Sequence, residues 1–183
     1  MQGYMNHWPY NEREFSGIGR NLAMRVIRTH YLDASALVKL FIDEVGSAAV
    51  RSYLEPHATR VTTVLCFAET LGVLKTKHVH KHIAMEEYLS ACEDMMGCLR
   101  GQTLTIDDIG ITDRLVFDEV ERLAKAHALD LSDACQLLTL RQGALSSLEG
   151  DSRPILITAD KKLAAAARSE GLRVWDCMNE AAP

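Results

Sequence analysis

The sequence predicts an α/β fold in which a short, mostly parallel β-sheet lies between two layers of helices, a three-layer α/β/α sandwich. Short apolar segments alternate along the chain with longer segments whose apolar residues recur every three or four positions. Such alternation is typical of βαβ units, whose crossover helices cover both faces of a parallel sheet. The 183 residues, 48% of them hydrophobic, suffice for one domain with its own core.

The first half of the predicted domain contains two strands and four helices. Residues 26–32 form an apolar run that predicts a buried strand, and residues 34–41 and 46–54 predict short helices. A second strand is predicted at 60–63. Residues 64–75 and 83–99 have apolar side chains at three- and four-residue spacing, which indicates two further helices.

The second half continues the alternation. A strand is predicted at 103–106, followed by helices at 112–128 and 132–140. The polar segment 142–153 contains glycine and serine and predicts a loop. Residues 155–158 predict a buried strand, 161–169 a helix, and 173–175 a last strand after a turn at Gly171.

Domain boundaries follow from where this periodicity begins and ends. Residues 1–24 have neither helical nor strand period, and we interpret them as an N-terminal extension or tag-like arm outside the core. Residues 25–178 predict a single domain without internal repeats, and 179–183 a C-terminal tail.

Composition argues against several classes of protein. Apolar runs break within about ten residues, short of the ~20 that cross a bilayer, and no signal peptide opens the chain, so we expect a cytoplasmic protein without membrane association. The five cysteines form no CxxC pair, which predicts reduced core thiols rather than disulfides or a zinc site. The net charge of −5 is unusual for a nucleic-acid binder unless bound metal ions reverse the local field.

Four acidic residues stand out by position. Asp33 and Asp160 each follow a predicted strand directly, and parallel sheets bind ligands beyond the carboxyl ends of their strands. Glu69 is the only charged residue between positions 61 and 74, within an apolar helix, where a buried carboxylate needs a cation, a metal or protonation. Asp133 lies at the start of the helix that follows Ser132.

Each acid also has a purely structural interpretation. Asp33 and Asp160 could cap the helices that follow them. Asp133 could interact favourably with the helix dipole in the first turn of a helix that Ser132 caps. Glu69 lies in mid-helix and escapes the capping explanation, although a salt bridge could account for it. The four acids together favour a shared cation site. Asp130 is a further acid that could support this site without binding the cation directly.

At these residues the chain resembles the PIN-domain family, and especially its VapC-like toxin branch. The resemblance covers roughly residues 26–176 and four motifs in order: YLDASALVKL at 31–40, FAE at 67–69, LSDA at 131–134 and LITADKKL at 156–163. The long loop 142–153 and the N-terminal arm have no clear counterpart in the family pattern.

The resemblance implies a PIN-like sandwich and a ribonuclease that depends on Mg²⁺ or Mn²⁺. By position, Asp33, Glu69, Asp133 and Asp160 would form the catalytic, metal-binding set, with Ser35 and Thr158 as hydroxyl supports beside it. The family also implies a cognate antitoxin protein and a homodimer. We expect hydrolysis by an activated water molecule, without a covalent enzyme intermediate.

Basic residues near these acids are candidates for contacts with RNA phosphates. The candidates are Lys75, Lys77, Lys81 and Lys161. Lys75, Lys77 and Lys81 could equally well be the solvent-exposed end of a helix. The histidines at 78, 80 and 82 are weaker candidates for a transition-metal site.

Other functions remain open at this point. A phosphatase of the haloacid-dehalogenase type would require Asp-x-Asp after the first strand, where this chain has Asp33-Ala34-Ser35. A PIN-like nuclease that processes RNA outside a toxin–antitoxin pair, or an inactive PIN-like binding module, would share the same fold.

Overall fold

The computed structural model describes residues 28–54 and 59–183, so the predicted N-terminal arm lies outside the described residues. The predicted parallel sheet is confirmed, with five strands that pair in parallel in the order β3-β2-β1-β4-β5. The strands are β1 (Thr29–Leu32), β2 (Thr59–Thr62), β3 (Thr105–Ile106), β4 (Ile155–Thr158) and β5 (Arg173–Asp176).

The seven predicted helices are all present in the described part of the chain. They are α1 (Ala34–Phe41), α2 (Ser47–Tyr53), α3 (Val64–Val79), α4 (Met85–Arg100), α5 (Arg114–His127), α6 (Leu131–Gln142) and α7 (Lys161–Ser169). Most bounds match the sequence prediction within two residues, but α3 continues four residues beyond its predicted end. The predicted loop 142–153 contains one 3-10 turn, Gly150–Ser152.

Alternate residues of the strands supply two apolar layers, one on each face of the sheet. Tyr31 and Leu156 pack with buried residues of α5, α6 and α7. Leu32, Ile157 and Trp175 point to the other face and pack with residues of α1, α2, α3 and α4. This arrangement confirms the three-layer α/β/α sandwich, because a parallel sheet buries apolar side chains on both of its faces.

The order of the strands reverses between β1 and β4. From β1 the chain proceeds outward to β2 and β3, and it then returns to place β4 and β5 on the other side of β1. The amide of Asp33 donates to the carbonyl of Ile157 at 3.3 Å, so the carboxyl ends of β1 and β4 lie side by side. Ligands bind in open α/β sheets at such a reversal.

A buried hydrogen-bond link joins β1 to the segment after α6. The Tyr31 hydroxyl donates to Asp107, and the amide of Ala144 donates to the same carboxylate at 3.3 Å. Burial, together with the bond to Asp107, raises the pKa of Tyr31. Gly143 passes so close to Asp107 that a β-carbon there would overlap its carboxylate.

The structure also describes the cysteines and the predicted C-terminal tail. The five cysteines are free thiols, as predicted, and Cys66, Cys135 and Cys177 are buried. The predicted tail is attached to the domain, since Glu180 pairs with Arg168 at 2.7 Å. Within the described residues, no helix combines the length and apolarity that crossing a membrane requires.

Candidate functional site

Asp33 lies directly after β1 and caps the start of α1. Its Oδ1 accepts hydrogen bonds from the Ala36 amide and the Ser35 hydroxyl, both at 2.8 Å, and its Oδ2 accepts one from the Thr158 hydroxyl at 2.6 Å. The residue is 4% exposed. Burial raises the pKa of Asp33 to about 6, and nearby Asp160 adds to the rise, although the three hydrogen bonds favour the ionised form.

Asp160 occupies the equivalent position after β4 and caps α7. Its Oδ1 accepts from the amides of Lys162 at 2.6 Å and Leu163 at 3.0 Å. Its own amide donates to the Thr158 hydroxyl oxygen at 2.8 Å. The capping interpretation of Asp33 and Asp160 is therefore confirmed. Capping is compatible with cation binding, because each carboxylate oxygen has two lone pairs and Asp160 caps through one oxygen only.

Ser35 and Thr158 tie the ends of the two strands together. The Ser35 hydroxyl donates to Asp33 and accepts from the Ala159 amide at 2.8 Å. Thr158 is fully buried and bridges Asp33 and Asp160 in the same way. Both hydroxyls thus donate to the Asp33 carboxylate, and their predicted role beside a bound metal ion or its waters stays a prediction.

Glu69 reaches the site from the side of α3. Its Oε2 accepts a hydrogen bond from the Ser132 hydroxyl at 3.0 Å, which joins α3 to the start of α6. The expectation that Glu69 is buried was wrong, because the side chain is exposed. Helix α3 turns Cys66, Phe67 and Thr70 to the core, and the position of Glu69 falls on the opposite side.

Asp133 is half-buried in the first turn of α6. The expectation that Ser132 caps this helix was wrong: the helix begins at Leu131, and its cap is Asp130, whose Oδ1 accepts from the Asp133 amide at 2.8 Å. An aspartate two positions earlier was an equally good capping signal that sequence reasoning passed over. The Asp133 carboxylate itself forms no hydrogen bond within the described residues.

Electrostatic repulsion links these acids into one group. Burial and the negative charges around it together raise the pKa of Asp133 to about 7, and burial has the largest effect. In decreasing order of effect these charges are Asp130, Asp33, Asp160 and Glu69. The fold therefore brings together Asp33, Glu69, Asp133 and Asp160, which we call the acidic cluster.

No lysine, arginine or histidine forms an ion pair with the acidic cluster in the part of the chain that the structure describes. Grouped carboxylates without basic partners repel one another, and a cation relieves that repulsion. The cluster is thus a concentration of uncompensated negative charge at the strand-order reversal.

The donor chemistry of the cluster fits a hydrated divalent cation. Carboxylate oxygens are the ligands of Mg²⁺ and Mn²⁺, and Mg²⁺ retains several of its waters when proteins bind it. Among the described residues, no three acidic, histidine or cysteine side chains are close enough to bind one ion together directly. An ion at the cluster would therefore contact at most two of these carboxylates directly and would reach the others through its water molecules.

The predicted RNA-contacting lysines lie at different distances from the cluster. Lys161 is exposed and follows Asp160 directly. Lys75 and Lys77 lie on α3 about 9 and 12 Å beyond Glu69 along the helix axis.

Lys77 and Lys81 are the least suited of these lysines to a contact at the cluster. Lys81 lies after the far end of α3. Lys77 pairs with Glu44 at 2.7 Å, and Lys39 pairs with the same carboxylate. Burial would raise the pKa of Glu44, but its bonds to the two lysines hold it below its usual range. Of the four lysines, Lys161 is therefore the best candidate for a contact at the cluster, since it is exposed and directly follows Asp160.

Comparison with known proteins yields a fold but no family. No family model matches the chain, and no curated protein matches its sequence. The structure is similar to the crystal structure of PAE2754 from Pyrobaculum aerophilum, with a TM-score of 0.53 and 18% sequence identity over 81% of this chain and 91% of that chain. At this identity the likeness establishes a shared architecture only.

Proposed function

We propose that this protein is a ribonuclease that hydrolyses phosphodiester bonds with the help of Mg²⁺ or Mn²⁺ held by the acidic cluster. The observation that carries the proposal is that Asp33, Asp160 and Glu69 all raise the pKa of Asp133, in addition to the larger effects of burial and of Asp130. No basic residue in the described part of the chain forms an ion pair with any of these four acids. Helix capping explains the positions of Asp33 and Asp160, but it does not require Glu69 and Asp133 to share their electrostatic environment. RNA is the substrate that the four PIN-like motifs favour.

Each residue of the site has a distinct task in this proposal. Asp33, Glu69, Asp133 and Asp160 would hold the cation. Ser35 and Thr158 orient the Asp33 carboxylate through hydrogen bonds, so that Asp33 would be held in position for the cation. When bound, the cation supplies charge for the phosphate oxygens and lowers the pKa of a coordinated water molecule.

Asp133 is suited to proton transfer. Its carboxylate forms no hydrogen bond within the described residues, so its oxygens are available to a water molecule at the site. A water molecule that attacks phosphorus loses a proton, and the free oxygens of Asp133 can accept it. The exposed Lys161 next to Asp160 can contact a phosphate of the bound strand.

Cleavage of a mixed RNA pool by the purified protein tests the proposal. We expect cleavage in the presence of Mn²⁺ and its loss on addition of a chelator, with the mapped ends reporting the sequence preference. An inert protein that binds no divalent cation would refute the nuclease and favour a binding module. A matched DNA pool separates a ribonuclease from a general nuclease.

The rate of cleavage should rise with pH between about 5.5 and 7.5 when Mn²⁺ is below saturation. Protons compete with the cation for Asp33 and Asp133, whose pKa values are raised to about 6 and about 7. At higher Mn²⁺ concentration the midpoint of the profile should move to lower pH, because the cation displaces the protons. A profile that is flat over this range at low Mn²⁺ would contradict the assignment.

We further propose that the ribonuclease is the toxin of a toxin–antitoxin pair in the cytoplasm, as the VapC-like motifs favour. Induced expression in a bacterium without its partner should then arrest growth, and the Asp33→Asn variant should not. Normal growth of cells that accumulate the active protein would instead support an RNA-processing nuclease.

A further inference from the structure

A second candidate site lies away from the acidic cluster. An open cavity of about 640 Å³ is bounded by α1, α2, α4 and β2. Its apolar wall consists of Leu40 and Phe41 at the end of α1, Leu54 after α2, and Cys98 of α4. Asp33 caps the other end of α1, about 12 Å away along the helix axis. The cavity is therefore distinct from the proposed nuclease site.

Arg60 of β2 lines this cavity and pairs with none of the residues in 28–54 and 59–183. Its guanidinium forms neither a hydrogen bond nor an ion pair within the described residues, and its Nε is buried without an acceptor. An arginine buried in part normally finds a carboxylate or carbonyl, because a donor that loses water without a replacement is costly. A guanidinium at the edge of a cavity is well shaped to bind an oxyanion through two N–H groups.

The strand register places His30 beside Arg60, with Arg173 at the other end of the same row. Arg60 pairs with His30, His30 with Ile155, and Ile155 with Arg173, so these residues form one row across the sheet. Adjacent positions in such a row are about 4.8 Å apart and share a face. Burial lowers the pKa of His30 to about 4, and the positive charges of Arg28, Arg60 and Arg173 lower it as well.

The rim of the cavity limits what can enter. Glu93 and Asp94 are exposed residues of α4 that line the cavity without pairing with an arginine in the described residues. Arg51, also at the rim, is already occupied by Asp43 and by the carbonyl of Ile42, 2.8 Å away. Carboxylates at the entrance repel a polyanion such as RNA more strongly than a ligand with a single anionic group.

We propose that this cavity binds a small organic anion, with one phosphate or carboxylate group on Arg60 and an apolar body against Leu40, Phe41 and Leu54. The apolar wall and the Arg60 guanidinium, which pairs with none of the described residues, support this class of ligand. The proposal goes beyond the nuclease function and does not depend on it, since no residue of the acidic cluster takes part.

Calorimetric titration of the full chain with phenyl phosphate, benzoate and inorganic phosphate tests this site. We expect saturable one-to-one binding of phenyl phosphate or benzoate, whichever headgroup the site prefers, and inorganic phosphate should bind at least about tenfold more weakly because it lacks the apolar body. Absence of saturable binding by both organic anions would refute the proposal, and so would equal affinity for inorganic phosphate.

Matched variants locate the binding. Arg60→Gln should weaken binding of the preferred organic anion at least about tenfold, since it removes a charged, forked donor. Arg114→Gln, at an exposed position of α5, should leave binding unchanged. Melting temperatures measured without ligand verify that Arg60→Gln is folded. If it is not, Arg60→Lys replaces it, because lysine keeps the positive charge but lacks the two parallel N–H donors of the guanidinium. Binding that survives both changes at Arg60 would overturn the assignment.

Discussion

Replacing Asp33 by asparagine should reduce RNA cleavage by about three orders of magnitude or more, which corresponds to the several kcal/mol that a metal site contributes to catalysis. Asp33 is the most buried acid of the cluster and the one with the most hydrogen bonds. Asparagine has nearly the same shape but carries no charge. Single-turnover cleavage rates at saturating Mn²⁺ measure the effect.

The same substitution should not destabilise the protein in the absence of cations. Because the pKa of Asp33 is raised from 3.8 to about 6 in the fold, its contribution to stability is present below pH 3.8 and is lost as pH rises through 6. The ionised carboxylate thus costs the fold on the order of 3 kcal/mol at pH 7.5. Asparagine removes that cost, but it has one acceptor oxygen instead of two and so loses the hydrogen bond from either the Ala36 amide or the Thr158 hydroxyl.

Thermal unfolding with EDTA therefore separates loss of function from loss of structure. We expect a melting temperature for Asp33→Asn at least as high as that of the wild type. Asp151→Asn, in the exposed 3-10 turn, is the matched control and should retain full cleavage. A variant of Asp33 that cleaves RNA at the wild-type rate would remove this residue from the site.

Replacing Gly143 by alanine should lower the free energy of unfolding by about 3 kcal/mol or more, since overpacking and the loss of a buried hydrogen bond each cost about 1–3 kcal/mol. Gly143 has φ −69° and ψ 179°, which any residue can adopt. The constraint is space, because a β-carbon would lie 2.5 Å from the Thr139 carbonyl oxygen and overlap Asp107. Asp107 would have to move from the Tyr31 hydroxyl.

Urea denaturation of Gly143→Ala and Gly97→Ala tests this claim. Gly97 lies within α4, and a β-carbon there would meet no atom within 4 Å. Alanine in a helix interior is favoured over glycine by up to about 1 kcal/mol, so this control should be as stable as the wild type or more so. If Gly143→Ala stays within 1 kcal/mol of the wild type, the close contact with Asp107 is not rigid.

Local signals in the sequence were sufficient to predict the helices and strands. Residues 34–41 form a helix with the bounds that the pattern predicts, because Asp33 supplies a cap directly before an apolar run. Asp33 and Asp160 could be placed at one edge of the sheet for a similar reason, since both follow strands in βαβ units. The hydroxyl supports at Ser35 and Thr158 came from the motif resemblance.

Features that depend on distant parts of the chain could not be predicted in this way. The position of β4 beside β1 brings Thr158 to Asp33, yet nothing near either residue specifies that order. Glu69 looked buried because its neighbours in sequence are apolar, but exposure depends on which side of α3 faces the core. The contact of Gly143 with Asp107 likewise spans two elements.

The basic residues illustrate the same limit. Lys77 looked available for RNA, but α3 continues past its predicted end and brings this lysine to Glu44. Arg60 received no role from the sequence, because a lone arginine in a short strand has no distinguishing pattern. That its guanidinium lines a cavity and pairs with no other described residue is known only from the structure.

Direct titration of Mn²⁺ into the wild-type protein, followed by electron paramagnetic resonance of the free ion, is the closest test of the claim that the acidic cluster holds a divalent cation. We predict saturable binding near neutral pH that weakens below pH 6 and is lost when Asp33 and Asp160 are both replaced by asparagine. Wild-type protein that leaves Mn²⁺ free at millimolar concentration, or a double variant that binds it equally well, would contradict the account.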